Sequence, residues 1–371
     1  MQESDLPGLT ATVLWASFAL ALVFGAIAQR THFCTMGAVA DIVNIGDWTR
    51  MRMWVLAIGV AMIGFNAMVG LGWLRAEHSI YAGANLLWLS HIVGGLLFGV
   101  GMVLASGCGS KTLVRVGGGS LKSLVVLFVL AVAAYATMRG VLAVARVATL
   151  DAAAIGLPTG QDLPSLLAFA TGAPRPMLAL ALGGVLGLAL IGWVLSRPEG
   201  RSADVLLAGL GVGAVITGVW WVSGSLGHLA EHPVTLEESF LATNSKRMES
   251  LSFVAPVAYT MDWLILFSDT SRVLTLGIVS TFGVVLGSAW VAMASGSFRW
   301  EGFGGTEDTA NHVVGAVLMG VGGVTAMGCT VGQGLSGVST LALGSFLALG
   351  GILAGGWLGL RYQTWRVERS L

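Results

Sequence analysis

Residues 91–108 read HIVGGLLFGVGMVLASGC and residues 312–329 read HVVGAVLMGVGGVTAMGC. At a constant offset of 221 the two stretches share 11 of 18 positions without a gap, where composition bias alone would give roughly two. The same offset carries 53–73 onto 274–294, Asp41 onto Asp262, and the stretch starting near Ser120 onto the one starting near Leu341. The chain is therefore an internal repeat. Each copy is an apolar, glycine-rich helix that ends in Gly-Cys.

The surrounding composition says where such helices live. Only 10% of the 371 residues are charged and 55% are apolar, against roughly 25% charged in soluble domains, and mean hydropathy is +0.83. Nearly uncharged runs of about the 20 residues that a bilayer core requires occupy 9–29, 51–74, 86–106, 121–145, 177–196, 203–226, 272–294, 311–328 and 339–360. Residues 33–46 and 252–267 are apolar but too short to cross, and read as re-entrant or interfacial half-helices. Glycine, at 54 residues, suits close helix packing through pairs such as Gly95/Gly99 and Gly351/Gly355. The opening MQESDLPG has no basic residue, so the first span is expected to stay as an anchor and not to be cleaved as a signal peptide. Nineteen basic and nineteen acidic residues leave no field for nucleic acid.

Nine crossings put the termini on opposite faces, and Arg361, Arg366 and Arg369 favour a cytoplasmic C-terminus and a periplasmic N-terminus marked by Glu3. Counted that way, 12 Lys and Arg fall inside and 7 outside. The spans beginning at 51 and 272 are an odd number of crossings apart, so the copies lie in opposite orientation. The expected fold is all-α: a polytopic membrane protein of about nine transmembrane helices and two half-helices, in an inverted-topology repeat. One membrane domain covers 1–371, with unit one at about 9–145, a joining span at 177–196 and unit two at about 203–361. The linker 156–176 holds four of the eight prolines and reads as an extracytoplasmic connection.

Inverted repeats with broken helices place their site between the units, where unpaired backbone faces a cavity instead of lipid. All three cysteines fall in the breaks. Cys34 stands at the start of the first half-helix, Cys108 between Gly107 and Gly109, and Cys329 after Gly328 and before Thr330 and Gln333. A cysteine is ordinarily a small buried hydrophobe. Three at breaks, two of them at matching repeat positions and none elsewhere, point instead to thiols aimed into a pathway. A neutral S–H is a weak donor that suits a soft anion, half-helix N-termini add partial positive charge, and Thr35, Thr330 and Gln333 offer neutral donors. Crossing direction puts Cys329 nearer the periplasm and Cys34 nearer the cytoplasm, with Cys108 between them or close to Cys34. Lys111 reads either as an anion attractor or as a boundary residue. His91 and His312 read as relay groups or as span-end side chains, and Asp41 and Asp262 as a carboxylate pair or as surface residues. No CxxC or His/Cys metal spacing occurs, and no cofactor is expected.

THFCTMGAVAD (31–41), ASGCGSK (105–111) and AMGCTVGQGLS (326–336) resemble the YeeE/YedE family of bacterial membrane proteins, associated with thiosulfate uptake and sulfur or selenium metabolism. The resemblance spans nearly the whole chain. It implies an hourglass-shaped inner-membrane transporter, not an enzyme, in which thiosulfate passes by transient hydrogen bonds to Cys34, Cys108 and Cys329. Some relatives act beside, or are fused to, a small sulfur-carrier protein; no carrier domain is expected within this chain, and a small cytoplasmic sulfur-carrier protein is a candidate partner. The alternatives are passage of a related sulfur or selenium species, a membrane sulfurtransferase that forms a cysteine persulfide, and a structural subunit of a larger complex.

Overall fold

With no water in a bilayer core to satisfy peptide groups, uncharged runs of this length close their hydrogen bonds internally and become helices. The computed structural model describes residues 5–233 and 235–370; Glu3 lies outside them. Its helices are α1 (Leu6–Arg30), α2 (Thr35–Ile45), α3 (Thr49–Gly70), α4 (Trp88–Leu104), α5 (Gly109–Gly117), α6 (Leu121–Arg139), α7 (Val141–Thr149), α8 (Leu163–Thr171), α9 (Arg175–Leu195), α10 (Ala203–Trp221), α11 (Val254–Ile265), α12 (Leu276–Ala294), α13 (Thr306–Thr325) and α14 (Leu343–Ser370). A π-helical turn Val222–Leu226 extends α10, and another, Gly332–Gly337, follows Cys329. The only β-structure among the described residues, apart from isolated bridges, is two antiparallel two-residue ladders. They are β1 (Asn85–Leu86) with β2 (Ile155–Gly156) and β3 (His228–Leu229) with β4 (Ser239–Phe240).

Among the described residues, eight helical segments, against the nine spans expected, are long and apolar enough to cross a membrane by length and composition. The remaining expected span is the 20-residue α13, whose first turns carry Glu307, Asp308, Asn311 and His312 and lower its apolar average. Side chains such as Phe128, Val185, Leu188 and Trp290 are 61–67% exposed in mid-helix, a cost in water but not in lipid. Two further differences have local causes. The run 121–145 breaks at Gly140 into α6 and α7, and the linker 156–176 contains α8, started by Asp162, whose carboxylate accepts from the Ser165 N–H at 3.0 Å.

Glycine sets the centre of the bundle. A Cβ at Gly322 would lie 2.6 Å from the Gly94 carbonyl oxygen, and one at Gly315 would lie 2.6 Å from that of Gly101. An early residue of α4 thus meets a late residue of α13 and the reverse, so these two helices run antiparallel, backbone against backbone. The offset of 221 exchanges the two contacts with each other. The same offset relates two further contacts, α14 on α4 and α6 on α13, while α1 lies on α12 and α10 on α3.

Candidate functional site: thiols at helix breaks between two cavities

Each cysteine begins a short helix. Cys34 is the N-cap of α2, and its Sγ accepts from the Gly37 N–H at 3.4 Å. Cys108 caps the nine-residue α5, its Sγ 3.2 Å from Ser110 Oγ. Cys329 precedes the turn at Gly332–Gly337, accepting from the Gly332 N–H at 3.4 Å with Ser252 Oγ 4.0 Å away. The sequence reading had two half-helices; the structure adds α5 and the segment after Cys329, because α4 and α13 stop at Leu104 and Thr325, ahead of the cysteines. The stop is made by Ser106 and Met327, equivalent under the repeat, which sit at φ 56° and 59°. Non-glycine residues rarely adopt this left-handed conformation, and it swings the chain so that Gly-Cys opens the next helix.

The thiols are free and buried, at 6% exposure for Cys34, 1% for Cys108 and 0% for Cys329. Cys108 lies within electrostatic reach of both others. Beside Cys34 and Cys329, the hydroxyls of Thr35 and Thr330 are buried without a hydrogen-bond partner, as is Gln333 Oε1. Gln333 Nε2 donates to the Ala326 carbonyl at 2.5 Å, and His91 Nδ1 lies 3.2 Å from the same oxygen.

Two cavities reach toward this centre from opposite ends of α6, a helix of 19 residues and hence about 28 Å long: Lys122 near its start lines one and Met138 near its end lines the other. One, of about 700 Å³, is lined by Cys34, His32 and Gly37 and by Arg50, Lys111, Arg115, Lys122 and Arg299, with Glu301 as its one acid. Lys122 pairs with Glu301 at 2.7 Å and Arg50 with Asp41 at 2.6 Å, while Lys111, Arg115 and Arg299 have no carboxylate partner among the described residues. The other, of about 200 Å³, is lined by Tyr81, Glu249, Ser252, Tyr259, Met327 and Gly328 among others, and ends beside Cys329. Cys108 lines neither.

The structure also gives the remaining polar residues partners. Asp41 and Asp262 do not face each other; each binds an arginine at the start of the next segment, Arg50 and Arg272, the latter at 3.2 Å. His91 ties α4 to the break before Cys329, and His312 Nδ1 is 2.9 Å from Asp308. Lys111 faces the larger cavity within electrostatic reach of Cys34 and Cys108. Sequence reasoning missed Tyr81, Ser252 and the grouping of Arg50, Arg115, Lys122 and Arg299. Only Lys111 and Arg115 left a signal, an i,i+4 spacing on one helical face.

A multi-pass bundle whose broken helices meet at a buried polar centre, with a cavity at either end, defines a membrane transport protein. The chain belongs to the sulphur transport family, the YeeE/YedE proteins, whose family model matches residues 30–358. It is similar to the thiosulfate transporter TsuA of Escherichia coli (strain K12), 26% identical over 339 residues that make up 90% of each chain. It is also similar to the thiosulfate transporter TsuA of Spirochaeta thermophila, 25% identical over 362 residues, 93% of this chain and 97% of that one. A shorter similarity, 34% over 85 residues, links it to the probable transporter YedE of Salmonella typhimurium, covering 23% of this chain and 20% of that one.

Proposed function

We propose that the protein takes up thiosulfate across the bacterial inner membrane through a constriction lined by Cys329, Cys108 and Cys34, in that order. What supports this reading is that Cys34 lines the larger cavity, that Ser252 and Gly328, next to Cys329, line the smaller one, and that the buried Cys108 lines neither. A soft sulfur anion is passed by weak S–H donors without being trapped. The unpartnered hydroxyls of Thr330 and Thr35 and the N-termini of the short helices offset the lost hydration of its charge.

The two units, about 9–145 and 203–361 with 177–196 joining them, are related by inversion in this reading, supported by the antiparallel α4–α13 crossing. The cationic cavity faces the cytoplasm, as its five lysines and arginines favour, so the C-terminus is cytoplasmic and the N-terminus periplasmic. An anion emerging there meets a surface suited to handing it to a small sulfur-carrier protein. A persulfide-forming reaction is the second class of function, but it needs an activated thiolate. Among the described residues no histidine or carboxylate lies within hydrogen-bond distance of a thiol, which favours passage over covalent transfer.

The test is uptake of labelled thiosulfate into proteoliposomes containing only this protein. Saturable uptake, with selenium and other sulfur analogues as competitors, supports the reading. No uptake above protein-free vesicles refutes it, and a persulfide trapped on a cysteine would turn the assignment to sulfurtransferase.

A further inference from the structure

Away from the thiols, three ligand-bearing side chains converge from segments far apart in the chain. His78 ends the short 3₁₀ turn Ala76–His78 between α3 and α4. His228 and Glu238 come from the β3–β4 hairpin, where His228 pairs with Phe240. Alternate strand residues share a face, so Glu238, Phe240 and His228 project to one side. The hairpin is closed by Leu241 N–H donating to Gly227 O at 2.8 Å and His232 N–H to Glu237 O at 2.9 Å. The His78 segment is fixed to residue 248 by two backbone hydrogen bonds of 3.0 Å, Met248 N–H to His78 O and Ile80 N–H to Met248 O. Nε2 of His228 stands 2.8 Å, and Nε2 of His78 3.4 Å, from one oxygen of Glu238. All three ligand atoms lie within 4.8 Å of one another. The Phe240 ring packs against both imidazoles, with centroids 5.3 and 5.0 Å away, and restrains their planes.

We propose that His78, His228 and Glu238 bind a divalent transition-metal ion of the zinc class, which staples the α3–α4 connection to the β3–β4 hairpin beside the smaller cavity. Two imidazole nitrogens and a carboxylate oxygen are a donor set that such ions take, with solvent in the fourth position. Calcium and magnesium, which prefer oxygen ligands throughout, do not suit it. Ligand atoms around tetrahedral zinc are about 3.3 Å apart, so the observed spacing closes on an ion with movements of about an ångström. Glu238 is 43% exposed at its side chain and leaves that fourth position open to water. The neighbouring acid, Glu77, is engaged by Arg175 at 2.7 Å and does not compete. The stapled segments lead into Ile80, Tyr81, Asn244, Ser245 and Glu249, which line the cavity that ends beside Cys329. Metal occupancy therefore fixes the entrance on that side.

The experiment uses full-length protein in detergent, free of any histidine tag, stripped with a chelator and titrated with Zn²⁺ against a chromophoric competitor. One ion per chain is expected, bound at least about 100-fold more weakly after His228→Gln and after Glu238→Gln. Both variants should match the wild type in elution and in unfolding temperature without metal. Co²⁺ serves as the second probe: a four-coordinate visible spectrum in the wild type, lost in both variants, supports the site. No stoichiometric zinc, or zinc binding that neither substitution weakens, overturns the proposal and leaves the cluster as a hydrogen-bonded clasp.

Discussion

Cys108→Ala separates a thiol that handles solute from one that fills space. The side chain is 1% exposed, at the cap of α5, and its Sγ touches Ser110 Oγ at 3.2 Å. Removing one sulfur from a packed site costs stability about 1 kcal/mol, as for a deleted methyl-sized group, so the protein should still fold and insert. In the proposed relay, transport loses a donor to a charged solute at a buried position, worth about 1.5–3 kcal/mol. At about 1.4 kcal/mol per decade of rate, uptake should fall about 10- to 150-fold. Cys108→Ser is the sharper case: the introduced hydroxyl keeps a donor of similar size but is harder, and it bonds the neighbouring Ser110 hydroxyl more tightly than a thiol does. It should also fail if sulfur character is what matters. The assay is the initial rate of labelled thiosulfate uptake in proteoliposomes at matched protein density. Rates within about twofold of the wild type in both variants would refute the thiol relay and return Cys108 to packing.

Further outcomes follow from other parts of the structure. Arg299→Gln, which removes an unpaired cation of the larger cavity, should weaken thiosulfate binding roughly two- to tenfold at low salt, with the effect vanishing near 1 M salt; a salt-independent effect would point to a structural role. Gly322→Ala puts a Cβ 2.6 Å from the Gly94 carbonyl oxygen and should lower stability by about 1–3 kcal/mol, read by thermal unfolding. Gly184→Ala, where a Cβ meets nothing within 4 Å, should stay within about 0.5 kcal/mol. Burial pushes the Glu249 carboxyl above the usual carboxylate range, partly offset by hydrogen bonds from Ser245 and Asn244. Raising the pH through that value adds a negative charge beside Tyr81, Arg146 and Tyr259, so anion uptake should fall with rising pH, and Glu249→Gln should flatten the profile; an unchanged profile would discount the group. Lastly, an impermeant thiol reagent applied from the periplasmic side should modify Cys329 before Cys34, and the reverse order would invert the proposed path.

The helices were legible because a bilayer-length run without charge has one stable conformation, and the α4–α13 relationship because 11 identities in 18 positions survive between 91–108 and 312–329. What the sequence hid is of another kind. The segment TLVRVGGG, 112–119, is too short to read as a membrane element, yet most of it forms α5, which begins where the turn at Ser106 redirects the chain. Among the candidates, the cysteines, Thr35, Thr330, Gln333 and Lys111 could be picked out by their position at breaks. Tyr81, Ser252 and Arg299 could not, since only the folded loops bring them to a cavity.

The paired glycine contacts of α4 and α13 have a consequence for descent. Contacts that an exchange of the two halves leaves unchanged are isologous, the self-complementary kind a twofold homodimer presents. A half-length forerunner bearing the glycines at positions 94 and 101 would have met the same surface on a copy of itself inserted the other way up. Fusion then freed residues away from the axis to diverge while holding the crossing constant. Position 34 and its counterpart 255, cysteine in one half and alanine in the other, show how a palindromic frame can carry unlike residues at equivalent places.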